Sequence, residues 1–130
     1  MIKVKWFGHS MWKISNDKIS IITDPFNFIG YKLPVGETAD VVLISHAHSD
    51  HNNSALICGD PAIVKAVGKF NIAGINIQTY HTYHDEEKGR KRGNNLLMKY
   101  VDDHKHQNSN EIELTKADFT TKRTITLNYE

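Results

Sequence analysis

Apolar and polar residues alternate along much of the chain, with the period of two that is typical of β-strands. Ile2, Val4 and Trp6 alternate with lysines, which predicts a strand with one buried face. Residues 41–45 show no such alternation and predict a strand covered on both faces. Further strands are predicted at 18–23, 62–67, 70–72, 75–83, 96–101, 111–114 and 124–129. Only one helical turn, ending at Ile57, is expected, so the chain is predicted to be rich in β-structure.

The length and composition of the chain limit the classes of protein to which it can belong. At 130 residues the chain is predicted to form one small domain. Its 16 basic and 15 acidic side chains give a formal net charge of +1, so no global field favours nucleic acid or a membrane surface. Cys58 is the only cysteine, which excludes an intrachain disulfide. No apolar window approaches the length of a membrane span, and we expect a cytoplasmic protein.

The segment after the apolar run at 41–45 concentrates metal-binding side chains. His46, His48, Asp50 and His51 place three imidazoles and one carboxylate within six residues. If strand geometry continues, His46 and His48 point to the same side, where one ion can bridge them. Nitrogen and oxygen ligands of this kind suit zinc and its first-row neighbours. The alternatives are a solvated histidine-rich loop and, for Asp50, a cap on the following turn.

This loop resembles the signature of the metallo-β-lactamase superfamily of metal-dependent hydrolases. Residues 6–10 and 23–26 resemble the opening strands of the branch that includes ascorbate-6-phosphate lactonase and uncharacterised bacterial hydrolases. Residues 82–85 and 89–95 resemble the His-Asp motif and the glycine–arginine loop of that branch. Three motifs in the same order make the resemblance much more specific than any one of them.

The resemblance implies an α/β fold, a metallo-β-lactamase-like αββα sandwich that is truncated or internally deleted and therefore β-rich. Residues 1–130 are expected to form one domain, in which 1–101 resemble the N-terminal half of relatives and 102–130 their C-terminal end. The aspartate that bridges both metals in relatives and their last histidine ligand find no match. An open sheet face favours a homo-oligomer, in which His104 or His106 of a neighbouring copy is a candidate ligand. The alternative, which the polar surroundings of both residues favour, is a solvated loop.

The resemblance also distributes the metal-binding residues over two sites. It assigns His46, His48 and His84 to a first metal, leaving a fourth position for water. Asp50 and His51 are assigned to a second metal, and Asp50 is the candidate catalytic residue because it orients the attacking water. The parity of the strand from Ile75 would instead direct His81 to the apolar face, and family likeness favours His84.

Further residues are assigned around these ligands, each with a structural alternative. Asp24 resembles the buried carboxylate that braces a metal-binding histidine, and otherwise caps a turn. His9 lines the pocket or has a structural role, and Asp85 belongs to the surrounding shell. The last three candidates form a cationic loop between two glycines, which either binds an anion or is an exposed hairpin loop: Arg90, Lys91 and Arg92.

The resulting functional hypothesis is a hydrolase with one or two zinc ions, or manganese or iron in their place. A metal-bound hydroxide would attack an ester, lactone or phosphoester of a small-molecule substrate that can be anionic. The alternative is a non-catalytic or degenerate metal-binding domain that lacks the bridging aspartate and the last histidine. Nucleic-acid processing ranks third because no basic stripe is visible.

Overall fold

The computed structural model describes residues 1–27 and 29–100 and the backbone of residues 101–102, 111–116 and 122–126. Ten strands form its framework: β1 (Ile2–Gly8), β2 (Met11–Ser15), β3 (Ser20–Thr23), β4 (Val41–Leu43), β5 (Ala62–Val64), β6 (Gly68–Ile72), β7 (Ile75–Tyr83), β8 (Asn94–Asp102), β9 (Glu111–Lys116) and β10 (Lys122–Thr126). The only helical segment within these residues is a 3₁₀ turn at Ser54–Leu56. The prediction of a β-rich chain with a single helical turn is therefore confirmed.

Strand direction brings several chain segments to one edge of the larger sheet. This seven-stranded sheet has the order β10-β9-β1-β2-β3-β4-β5. Strands β1 and β3 both pair antiparallel with β2, so they run in the same direction. Strands β3, β4 and β5 pair in parallel. The segments that follow β1, β3, β4 and β5 consequently emerge at the same edge.

Two apolar clusters cover the two faces of this sheet. On one face, Ile21, Val41 and Leu43 pack against Ile75 and Ile77 of the second sheet, which has the order β6-β7-β8. On the opposite face, the cluster contains Phe7, Met11, Ile22, Phe26, Val42, Ile44 and Ile57. Strand β4 therefore has both faces buried, as its lack of alternation predicts.

Two predicted strands end earlier than expected because polar groups redirect the chain. Strand β4 ends at Leu43, and the Ser45 amide donates to the Asp24 carboxylate at 2.7 Å. The strand predicted at 62–67 ends at Val64, where the chain crosses from the larger sheet to the smaller one. The Thr79 hydroxyl holds this crossing, since it donates to the Ala66 carbonyl at 2.6 Å and accepts from the Gly68 amide at 2.8 Å.

The outer face of the smaller sheet exposes apolar side chains, which is relevant to the predicted homo-oligomer. Tyr80 and Leu97 lie opposite each other in β7 and β8, and both are exposed. A homo-oligomer stays a prediction, and its candidate ligands His104 and His106 lie outside the described residues. Within the described ranges, no helix combines the length and the apolar character needed to cross a bilayer.

Candidate metal centre

The candidate site lies at the edge where the parallel strands end. His9 follows β1, Asp24 follows β3, and the histidine-rich loop of residues 45–51 follows β4. His84 reaches the same place from the second sheet, directly after β7. The site is therefore assembled from four segments that are distant in sequence, and the two sheets contribute to it together.

Hydrogen bonds between loops hold the histidine-rich loop in place. The Asn53 side chain donates to the Phe26 carbonyl at 3.1 Å, and its backbone amide donates to the Pro25 carbonyl at 2.8 Å. On the other side of the loop, the Leu96 amide donates to the Ser45 carbonyl at 2.9 Å. These bonds fix the loop against both sheets, which gives its side chains defined positions.

A first group of three imidazoles converges, and it consists of the residues that the resemblance assigns to a first metal: His46, His48 and His84. Each offers a ring nitrogen within 4.8 Å of the others. The ring centroids are 4.7 Å apart for His46 and His48 and 4.4 Å apart for His46 and His84. The Nε2 atom of His46 and the Nδ1 atom of His84 are buried without a hydrogen-bond partner. Buried polar atoms are seldom left unpaired, so these two nitrogens are suited to bind a ligand.

The Asp24 carboxylate determines which nitrogen of His46 is free. The Ser45 hydroxyl donates to Asp24 Oδ2 at 2.7 Å, because an ionised carboxylate only accepts. The Ser45 oxygen then accepts from His46 Nδ1 at 2.8 Å. This arrangement places the His46 proton on Nδ1 and directs the lone pair of Nε2 into the group of three imidazoles.

A second group lies beside the first and consists of His9, Asp50 and His51. His9 Nε2 lies 3.0 Å from Asp50 Oδ2 and 3.1 Å from His51 Nε2. The third side of this triangle, from His51 Nε2 to Asp50 Oδ2, is 3.5 Å. The rings of His46 and His51 are 4.0 Å apart at their centroids, so the two groups adjoin.

Asp24 also orients His51 in this second group. The His51 Nδ1–H donates to Asp24 Oδ2 at 2.9 Å, which leaves Nε2 as the lone-pair nitrogen facing His9 and Asp50. Asp24 itself is only 8% exposed. One buried carboxylate thus orients a histidine in each group, directly for His51 and through Ser45 for His46, and its role in bracing metal ligands stays a prediction.

The local electrostatics favour the forms that bind metal. Burial lowers the pKa of His46, and the neighbouring His51, His84 and His48 lower it further, so the neutral imidazole is favoured. Burial acts to raise the pKa of Asp50, but His51, the backbone amide of Asp50 and His9 outweigh it and lower this pKa. Metal ligands must be deprotonated, and both shifts act in that direction.

The residues present fit a pair of divalent ions. Imidazole nitrogens and one carboxylate oxygen are ligands for zinc and related first-row metals. The two unpaired buried nitrogens lie in the first group, where a cation would satisfy both. His46 and His84, with His48, would hold one ion, and Asp50 and His51 are positioned toward a second.

Asp85 was suggested to lie in the shell around the metal ligands, but it binds the backbone of its own loop. Its carboxylate accepts hydrogen bonds from four backbone amides of its own loop: Glu87, Gly89, Lys91 and Arg92. The amide of Arg92, followed by those of Glu87, Gly89 and Lys91, lowers the pKa of Asp85. The loop joins the site through the amide of His84, which donates to the Gly93 carbonyl at 3.0 Å. Asp85 therefore shapes the segment that follows His84.

The three cations of this loop have different surroundings. Lys91 pairs with Glu87 at 2.9 Å on an exposed surface. Arg92 lines a cavity of about 460 Å³ that adjoins His46 and His48, and Arg90 is not among the residues lining it. The anion-binding role predicted for the loop therefore has structural support only at Arg92.

The cavity contains further polar groups that the sequence did not reveal. Lys65, from the crossing after β5, provides its second cation, and no carboxylate occurs among the described residues that line it. In the part of the chain that the structure describes, neither Lys65 nor Arg92 forms a side-chain ion pair. Asn95 Oδ1 is buried without a partner. His81, exposed rather than packed, lines the cavity and lies 3.0 Å from the Asn94 side-chain oxygen.

Comparison with known protein families shows which superfamily the chain belongs to. It matches the family model of the beta-lactamase superfamily domain over residues 3–108. The chain therefore belongs to this superfamily, and a solved structure with 30% identity is described as a member of the metallo-β-lactamase superfamily.

Two solved structures share the fold. The first is a proposed zinc-dependent hydrolase of the metallo-β-lactamase superfamily from Thermotoga maritima, with 30% identity and a TM-score of 0.60. The alignment covers 79% of this chain and 45% of the Thermotoga chain. The second is a proposed metal-dependent hydrolase from Parabacteroides distasonis, with 19% identity and a TM-score of 0.52, covering 75% and 58% of the two chains. These matches confirm the expected fold class.

Curated relatives agree with this assignment over a shorter span. A UPF0173 metal-dependent hydrolase from Thermus thermophilus is 34% identical over 88 residues, which are 65% of this chain and 36% of the relative. A namesake from Methanosphaera stadtmanae is 47% identical over 60 residues, which are 42% and 25% of the two chains. The chain thus spans about a quarter to a third of the length of these relatives.

Proposed function

We propose that the chain is a metal-dependent hydrolase that cleaves an ester, lactone or phosphoester. The observation that supports this most strongly is the convergence of two ligand groups, the first of which contains two buried nitrogens without a hydrogen-bond partner, His46 Nε2 and His84 Nδ1. A divalent ion bound there would acidify a water to a nucleophile near neutral pH and polarise the bond under attack.

The chain's own residues would divide the remaining tasks. His46, His48 and His84 would hold the first ion, and Asp24 would keep the His46 and His51 rings in their binding tautomers. Asp50 would accept a hydrogen bond from the attacking water, since a carboxylate with a lowered pKa stays ionised. A degenerate metal-binding domain would also hold the first ion, but its Asp50 would not act on a water.

Zinc is our proposal for the native metal because four imidazoles outnumber one carboxylate, and imidazole nitrogen is a ligand that suits zinc well. Manganese and iron are the alternative metals, so hydrolysis should be compared with zinc, manganese or iron added to the protein. The exposed thiol of Cys58, the only cysteine in the sequence, supports a reducing cytoplasmic compartment as the place of action.

Substitution of Asp50 by asparagine should separate hydrolase from degenerate metal protein. We expect Asp50→Asn to retain the first ion, whose three ligands it does not touch, and to lose at least about 100-fold in kcat, the low end for a positioned acid–base group. The measurements are zinc content and turnover of simple esters and phosphodiesters. Asp60→Asn, at an exposed acidic residue, is the matched control. Equal turnover by Asp50→Asn and the parent chain would exclude Asp50 from catalysis.

We also propose that the substrate is anionic. Lys65 and Arg92 face the cavity beside His46 and His48 without a protein carboxylate to neutralise them. Because the net charge of the whole chain is only +1, this preference would come from the cavity itself. The unpaired oxygen of Asn95 would in addition accept a hydrogen bond from a substrate hydroxyl or amide.

Charge selectivity should depend on Arg92. For a pair of esters that differ only in a carboxylate, we expect Arg92→Gln to lower kcat/KM for the charged ester by about 10-fold or more, as for a lost charge-assisted hydrogen bond. The neutral ester should be hydrolysed at the parental rate. Lys91→Gln is the control, because Lys91 pairs with Glu87. A parallel loss on both esters would show that Arg92 acts on structure instead of charge.

A further inference from the structure

We propose that His9 is the third protein ligand of the second ion, which completes a site with Asp50 and His51. This inference rests on the metal centre proposed above and concerns a residue outside its histidine-rich loop. His9 Nε2, at the end of β1, lies 3.0 Å from Asp50 Oδ2 and 3.1 Å from His51 Nε2.

The distances within this triangle match a shared cation. Ligands about 2.1 Å from a tetrahedral ion lie about 3.4 Å from one another. The three sides measured here are 3.0, 3.1 and 3.5 Å. The His51 Nδ1–H donates to Asp24, so the lone pair of Nε2 faces the triangle, and a carboxylate oxygen such as Asp50 Oδ2 offers lone pairs of its own.

A simple hydrogen bond explains the triangle less well. Asp50 Oδ2 and His51 Nε2 are both acceptors, and they approach to 3.5 Å. A single His9 N–H cannot point well at both, so one acceptor would remain beside the other without a donor. One cation at the centre of the triangle satisfies all three atoms together.

The backbone holds His9 in this position by an unusual conformation. The register of β1 against β2 shifts between Trp6 and Gly8, as at a β-bulge, and His9 follows with a φ of 48°. The Trp6 indole N–H donates to the His9 carbonyl at 3.0 Å and fixes the turn. Bulges and left-handed non-glycine residues recur beside functional sites, where they redirect a side chain.

Gly8 makes this turn sterically possible. A Cβ atom at Gly8 would lie 2.4 Å from Cδ1 of Tyr31, and its φ is 121°. Asp24, which braces His51, is likewise a left-handed non-glycine residue, with a φ of 37°. Two strained positions therefore converge on the second group, which is consistent with strain maintained for binding.

The test is a zinc titration of the metal-free full chain, with the bound metal counted by elemental analysis and the affinities measured by calorimetry. We expect two ions for the parent chain and one for His9→Gly, in which glycine adopts the left-handed turn without cost. The dissociation constant of the second ion should rise more than about 100-fold, above the range for losing an outer partner of a ligand. His81→Gly, which removes another exposed histidine near the site, should still bind two ions.

Cobalt absorption supplies a readout independent of activity. Titration with Co²⁺ should give two sets of visible bands in the parent and only the first in His9→Gly. Two ions of unchanged affinity in His9→Gly would overturn this inference and leave the proposed hydrolase intact. One ion in the parent chain would also overturn it, because no second site would exist. A parent chain without tight metal binding would instead refute the metal centre as a whole.

Discussion

Replacement of both His46 and His48 by alanine should abolish tight binding of the first ion and with it all metal-dependent hydrolysis. The double variant leaves His84 as the only imidazole of this group, and one ligand cannot hold zinc against water. The loss of affinity should exceed the 10–100-fold that is typical of losing an outer-shell partner. Elemental analysis after dialysis and ester turnover are the two measurements.

The control for this variant is the substitution of a single histidine that lies outside the first group. His81→Ala should keep the metal content of the parent, because His81 lies 3.0 Å from the Asn94 oxygen and outside the triad of imidazoles. Far-UV circular dichroism establishes that each variant folds. Unchanged metal content in the folded double variant would refute the assignment of the first site.

Substitution of Asp24 by asparagine should have the second largest effect. The carboxylate accepts from the Ser45 amide, the Ser45 hydroxyl and His51 Nδ1. The asparagine NH₂ would face donors, and hydrogen bonds to buried charged groups are worth about 1.5–3 kcal/mol each. We expect the free energy of unfolding of the metal-free chain to fall by about 2–4 kcal/mol. Zinc affinity should fall 10–100-fold as both orienting partners weaken.

The comparison for Asp24→Asn is Asp17→Asn, at an exposed position between β2 and β3. Asparagine tolerates the left-handed conformation of residue 24, so backbone strain should not dominate the result. Denaturant unfolding of the metal-free protein separates the effect on stability from the effect on metal binding. If both variants kept the parental zinc affinity, Asp24 would have no orienting role.

Local sequence pattern was enough to predict most of the strands and the loop of His46, His48, Asp50 and His51. The period of two and the unbroken apolar run of β4 report burial, which is a property of neighbouring residues. The ends of β4 and β5 were missed because their hydrogen bonds come from Asp24 and Thr79, residues distant in sequence.

His9 was predicted either to line the pocket or to have a structural role, but its contact with Asp50 was not predicted, although a signal for it exists. Two successive hairpins, β1–β2 and β2–β3, make β1 parallel to β3, so the residue after β1 must emerge at the edge where the loop after β4 begins. Gly8 before His9 also marks a turn there.

The cavity residues were harder to anticipate. Lys65 belongs to a crossing between sheets that resembled the continuation of a strand. Which of the three loop cations faces the cavity depends on the four amides bound by Asp85, and no periodicity encodes that arrangement. Arg92 and Lys91 are adjacent in sequence, yet one lines the cavity and the other pairs with Glu87.

The most direct test of the central claim, that this cluster of imidazoles and Asp50 is a metal centre, is a metal count. The purified chain is stripped with a chelator, dialysed against zinc and then analysed for metal and protein. The structure predicts two ions per chain, held by the groups around His46 and His51. A folded chain that retains less than one ion would contradict the account at its foundation.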